Sequence, residues 1–153
     1  MGLVTWTAVF TLASLRDTPE DVSRSIDGLI GADLQRKVGP RLVQAGWPFA
    51  EAWPEDHGWH AEATVKDEGG TILASFVTCP EINPETPDER APKDRWRIVI
   101  GLDVGLFPKT KARRSDILRA LAGDIEAACR ALGAGDIVWE FGGPGTTGTP
   151  KAR

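Results

Sequence analysis

Apolar residues recur at every second position from Val4 through Trp6, Ala8 and Phe10 to Leu12, which predicts a strand over residues 3–12. The period then changes. Thr18-Pro19-Glu20-Asp21 places a hydroxyl at a helix N-cap, a proline in the first turn and a carboxylate three residues after the cap. Val22, Ile26, Leu29, Ile30 and Leu34 follow at helical spacing, so one helix with an inward apolar face is expected. Gly28 and Gly31 weaken it, and Gly39-Pro40 should end it, with a further helical turn within Arg41 to Phe49.

Alternation returns in WHAEATV (59–65) and ILASFVTC (72–79), with turn chemistry in the DEGG between them. Pro80 to Pro92 carries four prolines and several acids and reads as a long exposed loop. RWRIVIGL (95–102) is the most apolar strand. A basic connection, FPKTKARRS (107–115), leads to Ser115 as the cap of a second helix. Ile117, Leu118, Leu121, Ile125, Cys129 and Leu132 share one face of that helix, and Gly133 ends it. DIVWEF (136–141) is a last short strand.

The order β-α-β-β-β-α-β predicts an α+β, two-layer sandwich: a mostly antiparallel sheet of about five strands with two helices on one face. Residues 1–141 are expected to form a single domain, and 142–153 a flexible C-terminal tail. Parity within the predicted hairpin sends Trp59, Ala61, Ala63 and Val65 inward with Ile72, Ala74 and Phe76. His60, Glu62 and Thr64 then share the wetter face with Leu73, Ser75, Val77 and Cys79. Two registers satisfy this parity. One pairs Ala61 with Phe76 and sets Cys79 diagonal to His60; the other pairs Ala63 with Phe76 and sets Cys79 directly opposite.

Composition narrows the function classes. A chain of 153 residues with 41% hydrophobic and 26% charged residues has the balance of one globular domain. Its net charge of −4 argues against a nucleic-acid binder, whose affinity needs a basic field. The apolar N-terminus has no basic residue before Arg16 and alternates like a strand, so neither a signal peptide nor a membrane segment is expected, and the cytoplasm is the expected compartment. The two cysteines, Cys79 and Cys129, are too few for a disulfide framework.

Candidate chemistry gathers in WPEDHGWHAE (53–62), which holds both histidines of the chain and three carboxylates. His60 beside Cys79, with Glu62, is a candidate thiol–imidazole catalytic site. His57, His60 and Cys79, or Asp56 in place of His57, are candidate metal ligands. Against these stands ordinary packing of a strand cysteine after a turn, and no cofactor is expected. Six tryptophans without a tyrosine leave indole surface for recognition; Trp47, Trp53, Glu55, Asp56 and His57 form an acidic, aromatic candidate surface for a partner protein. Lys109, Lys111, Arg113 and Arg114 are a candidate site for an anion or an acidic partner ahead of a helix. GGPGTTGT (142–149) imitates a phosphate loop, but it lacks the lysine and the following helix.

The PEDxGW-like turn (Pro54, Glu55, Asp56, Gly58, Trp59), with the preceding strand, capped helix and following hairpin, resembles small bacterial proteins, some of them similar to immunity proteins of toxin systems. The resemblance spans residues 50–105 and assigns no functional residue. With no complete catalytic constellation in the chain, the reading is a small soluble non-enzymatic domain that binds another protein, as an inhibitor, immunity factor or adaptor. The alternative is a metal- or thiol-dependent enzyme centred on His60 and Cys79.

Overall fold

The N-terminal alternation is a ten-residue strand, β1 (Gly2–Thr11), in the computed structural model, which describes residues 2–67, 70–81, 94–104 and 108–145. Val4, Trp6, Ala8, Phe10 and Leu12 all enter the core. The chain continues through α1 (Pro19–Arg24), α2 (Ala32–Gln44), β2 (Trp53–Glu55), β3 (Gly58–Asp67), β4 (Gly70–Pro80), β5 (Arg95–Val104), α3 (Pro108–Ala131) and β6 (Gly135–Glu140). The six strands form one antiparallel sheet in the order β2-β3-β4-β5-β1-β6. The protein is an α+β fold, with one strand and one helix more than the sequence pattern predicts. The extra strand is β2, too short to show a period of its own.

One face of the sheet carries the helices. Leu34, Val38 and Leu42 of α2 and Leu118, Leu121 and Ile125 of α3 pack with Phe76, Ile98, Ile100 and Leu102 of the sheet. Phe10 and Phe76 are wholly enclosed, and burying each such ring contributes about 1.5–3 kcal/mol. The β3–β4 register is the one that pairs Ala61 with Phe76 and Val65 with Ile72. Trp59, Ala61, Ala63, Ile72 and Ala74 are accordingly buried on the helix side.

The single helix expected after Thr18 is two. The capping box forms as predicted, with Asp21 N–H donating to Thr18 Oγ1 and Thr18 N–H donating to Asp21 Oδ2. However, α1 ends at Ser25, whose backbone is extended, and Asp27 and Gly28 both take positive φ. Val22 and Ile26, expected inward, are exposed. A fresh start for α2 comes from Asp17, whose carboxylate accepts the N–H groups of Gly31, Ala32 and Asp33. It satisfies three of the four donors that a helix N-terminus leaves open. Gly39-Pro40 does not end this helix: Pro40 lies inside it. Proline removes only the donor for the carbonyl of Arg36, an exposed residue whose carbonyl can turn to water.

The C-terminal half shows a similar shift. Helix α3 begins at Pro108, so Ser115 is an interior residue and the expected basic connection is largely helix. Proline suits a first helical position, while the lack of an acid in that turn hid the start. Gly133 closes the helix with φ of 96°, and Ala134 N–H donates back to Cys129 O. Gly142 and Gly143 lie against the rings of Trp6 and Trp139. The rest of the expected tail (146–153), the tip of the DEGG turn and most of the proline-rich loop (82–93) lie outside the described residues. Among the described residues, no helix is long and apolar enough to cross a membrane.

Candidate functional site

The turn that precedes β3 is a tight hairpin. Trp53 pairs with His60 and Glu55 with Gly58, leaving Asp56 and His57 as the two residues of the turn. Gly58 has φ of 138°, and a Cβ there would sit 2.6 Å from Thr78 O and 2.9 Å from Val77 Cγ1. The hairpin can therefore lie flat on β4 only with glycine at this position.

Alternation along β3 sends Trp59 to the helix side and His60 and Glu62 to the helix-free side. There the polar side chains of the turn line up. Asp56 Oδ1 lies 3.1 Å from His57 Nδ1, His57 Nε2 lies 3.0 Å from His60 Nδ1, and His60 Nε2 lies 3.0 Å from Glu62 Oε1. Trp53 covers one side of His60, ring centroids 4.9 Å apart, and donates its indole N–H to Glu55 Oε1. Asp56 and His57 are exposed, whereas the His60 side chain is 16% exposed.

Cys79 shares this face but not this network. Both ring nitrogens of His60 are engaged by His57 and Glu62, and no hydrogen bond joins the thiol to an imidazole. Cys79 is 6% exposed. Burial pushes its thiol up to about 11, with the charge of Arg97 opposing the rise only in part. A thiol so placed is protonated at neutral pH and makes a poor nucleophile. Among the described residues, no three His, Cys, Asp or Glu side chains converge as a metal-ligand set. The structure thus brings together Asp56, His57, His60 and Glu62 and leaves Cys79 apart.

Trp47 also departs from the expected recognition surface. Its indole is buried between α2 and α3, and its N–H donates to Asp124 Oδ2 at 2.7 Å. It is a core anchor. The segment that follows it, from Phe49 to Ala52, runs beside β3, with Ala50 N–H donating to Glu62 O.

Between that segment and α2 lies an open groove of about 560 Å3. The buried rings of Trp59 and Phe76 lie beneath it, and Val43, Pro40 and Phe49 stand on its walls. Gln35 fixes the base by donating to Trp59 O and Phe76 O, at 2.8 and 3.2 Å. Phe49 meets Phe76 edge-on at 4.7 Å. Arg36 closes one side through a two-point pairing with Asp21. That pairing, with the capping bonds from Thr18, holds the Asp21 carboxyl well below the usual carboxylate range despite its burial. Arg24 lies over the Trp59 ring, 5.6 Å from its centroid, and has no carboxylate partner among the described residues.

Sequence reasoning did not single out this groove. Its signal was Val43, an apolar residue off the inward stripe of α2, which is 51% exposed. Lys109, Lys111, Arg113 and Arg114 fall in the first turns of α3, and their side chains lie outside the described residues. Comparison of the chain with protein-family models, curated proteins and solved structures gives no match.

Proposed function

We propose that the protein is a non-enzymatic binding module that takes a segment of another protein into the groove between α2 and residues 49–52, acting as an inhibitor, immunity factor or adaptor. The observation that carries this reading is the groove itself: a concavity between α2 and residues 49–52 that lies over the buried rings of Trp59 and Phe76 and has half-exposed Val43 on its wall. An apolar concavity with a few placed polar groups is the usual form of a binding site. Helix α1, which gives Asp21 and Arg24 to the wall, also exposes Val22. Such apolar residues beside a pocket favour a macromolecular partner over a small molecule alone. Arg24 suits a carboxylate next to the apolar anchor of that partner. The protonated, enclosed state of Cys79 gives the thiol-enzyme alternative no support.

A photoactivatable residue placed at Val43 tests the reading. It is expected to cross-link one protein from native lysate, while the same residue at exposed Lys66 of β3 does not. Equal capture at both positions, no protein captured at Val43, or a groove filled only by a small molecule would overturn it.

A further inference from the structure

The hairpin network contains a chemical conflict that points beyond protein binding. An ionised carboxylate can only accept hydrogen bonds. Asp56 therefore takes the proton of His57 at Nδ1, and Glu62 takes that of His60 at Nε2. In neutral imidazoles the remaining nitrogens, His57 Nε2 and His60 Nδ1, then carry lone pairs and no proton. These are the two nitrogens that face each other at 3.0 Å. Two lone pairs aimed at one another at that distance repel unless a cation lies between them.

We propose that His57 and His60 form a surface site for one borderline divalent transition-metal ion, of the zinc, nickel or copper class, with Asp56 and Glu62 as its outer carboxylates. Imidazole nitrogen suits these ions. Metal-bound histidines characteristically donate their other ring N–H to a carboxylate, which fixes the tautomer and strengthens the donor. Both histidines of this chain have that arrangement. With metal–nitrogen bonds of about 2.0–2.1 Å, nitrogens at this separation subtend roughly a right angle at the ion, and a small outward turn of exposed His57 reaches a tetrahedral angle. Two protein donors leave the other positions to water.

The surroundings favour a dication. Glu55, Asp56 and Glu62 contribute three carboxylates to the hairpin, and none of them pairs with a lysine or arginine among the described residues. The scaffold is also set in advance. His60 is held in the β2–β3 ladder against Trp53, and His57 follows a turn whose exit is fixed by Gly58 against Thr78. Cys79 is no member of the site, because its thiol is buried and unbonded to either imidazole.

Calorimetric titration of the untagged full chain with zinc chloride and with nickel chloride tests the site. One equivalent is expected to bind saturably below millimolar metal. His57→Ala and His60→Ala should each weaken binding at least tenfold, Glu62→Gln should weaken it by about tenfold or more, and Cys79→Ser should leave it unchanged. His57 is exposed, so its variant stays folded and keeps the comparison open even if His60→Ala does not fold. Absence of saturable binding, wild-type affinity in His57→Ala, or loss of binding in Cys79→Ser would overturn the proposal. A negative titration overturns the metal site and leaves the groove reading untouched.

Discussion

Gly31 and Thr78 lock the start of α2 onto the sheet: Thr78 Oγ1 donates to Gly31 O at 2.7 Å, and the space where a Gly31 Cβ would stand is occupied by the Thr78 carbonyl. Gly31 also has φ of 148°, a conformation that L side chains rarely adopt. Gly31→Ala is therefore expected to destabilise the fold by about 2–4 kcal/mol, through overpacking and backbone strain together. Gly123 supplies the contrast, since it lies inside α3 with no atom near its missing Cβ. Gly123→Ala should stabilise by about 0.5–1 kcal/mol. Urea denaturation of the two variants checks both signs.

Asp17 reaches the N-terminus of α2 from fourteen or more residues upstream and accepts three backbone N–H groups there. Asp17→Ala is expected to cost at least the typical cap value of about 1 kcal/mol. Amide hydrogen exchange should show the loss first at Ala32 and Asp33.

These two features mark where the sequence was legible and where it was not. Alternation in β1, β3 and β4 survives because a half-buried sheet imposes one period on every strand, and a slip of one residue would exchange its faces. The Thr18 cap was legible because it is local. The break at Asp27-Gly28 was not, since its cause is distant: Asp17 and Thr78 reward a new helix start at Gly31 more than continuation rewards the old one. The hairpin histidines were visible as residues, but their pairing with carboxylates rather than Cys79 depends on the β2 strand. Three residues including a proline give β2 no pattern to recognise. The groove was hidden for a similar reason, being made by a segment without regular structure.

Acid should release the contact between α1 and α2. The Asp21 carboxyl has a folded pKa far below its unfolded value of about 3.9, chiefly through Arg36. Its contribution is fully present above about pH 4 and declines as the pH falls toward the lower folded value. Asp21→Asn should cost about 1–2 kcal/mol at neutral pH, from the cap and from an ion pair whose arginine is half exposed. The gap between the two melting curves is expected to narrow below about pH 4.

Alkali acts through the cysteines with the opposite sign. Burial pushes Cys79 up to about 11 and Cys129 up to about 12, the latter helped by the charge of Glu126. An unfolded chain ionises both thiols near pH 8.5, so above that pH it holds fewer protons than the folded chain. Stability should then fall by up to about 1.4 kcal/mol per pH unit for each thiol. Urea midpoints measured from about pH 8 to 10 should decline less in Cys79→Ala/Cys129→Ala than in the wild type. Both thiols should resist iodoacetamide in the native protein and react once it is unfolded.

Neighbouring residues on β3 divide the molecule into two addresses. Trp59 points to the helix side and His60 to the helix-free side, so one layer of backbone stands between the groove and the paired imidazoles. A peptide seated in the groove and an ion held at the turn would not collide. Their order of arrival would then carry no steric penalty, and each could be titrated with the other already in place.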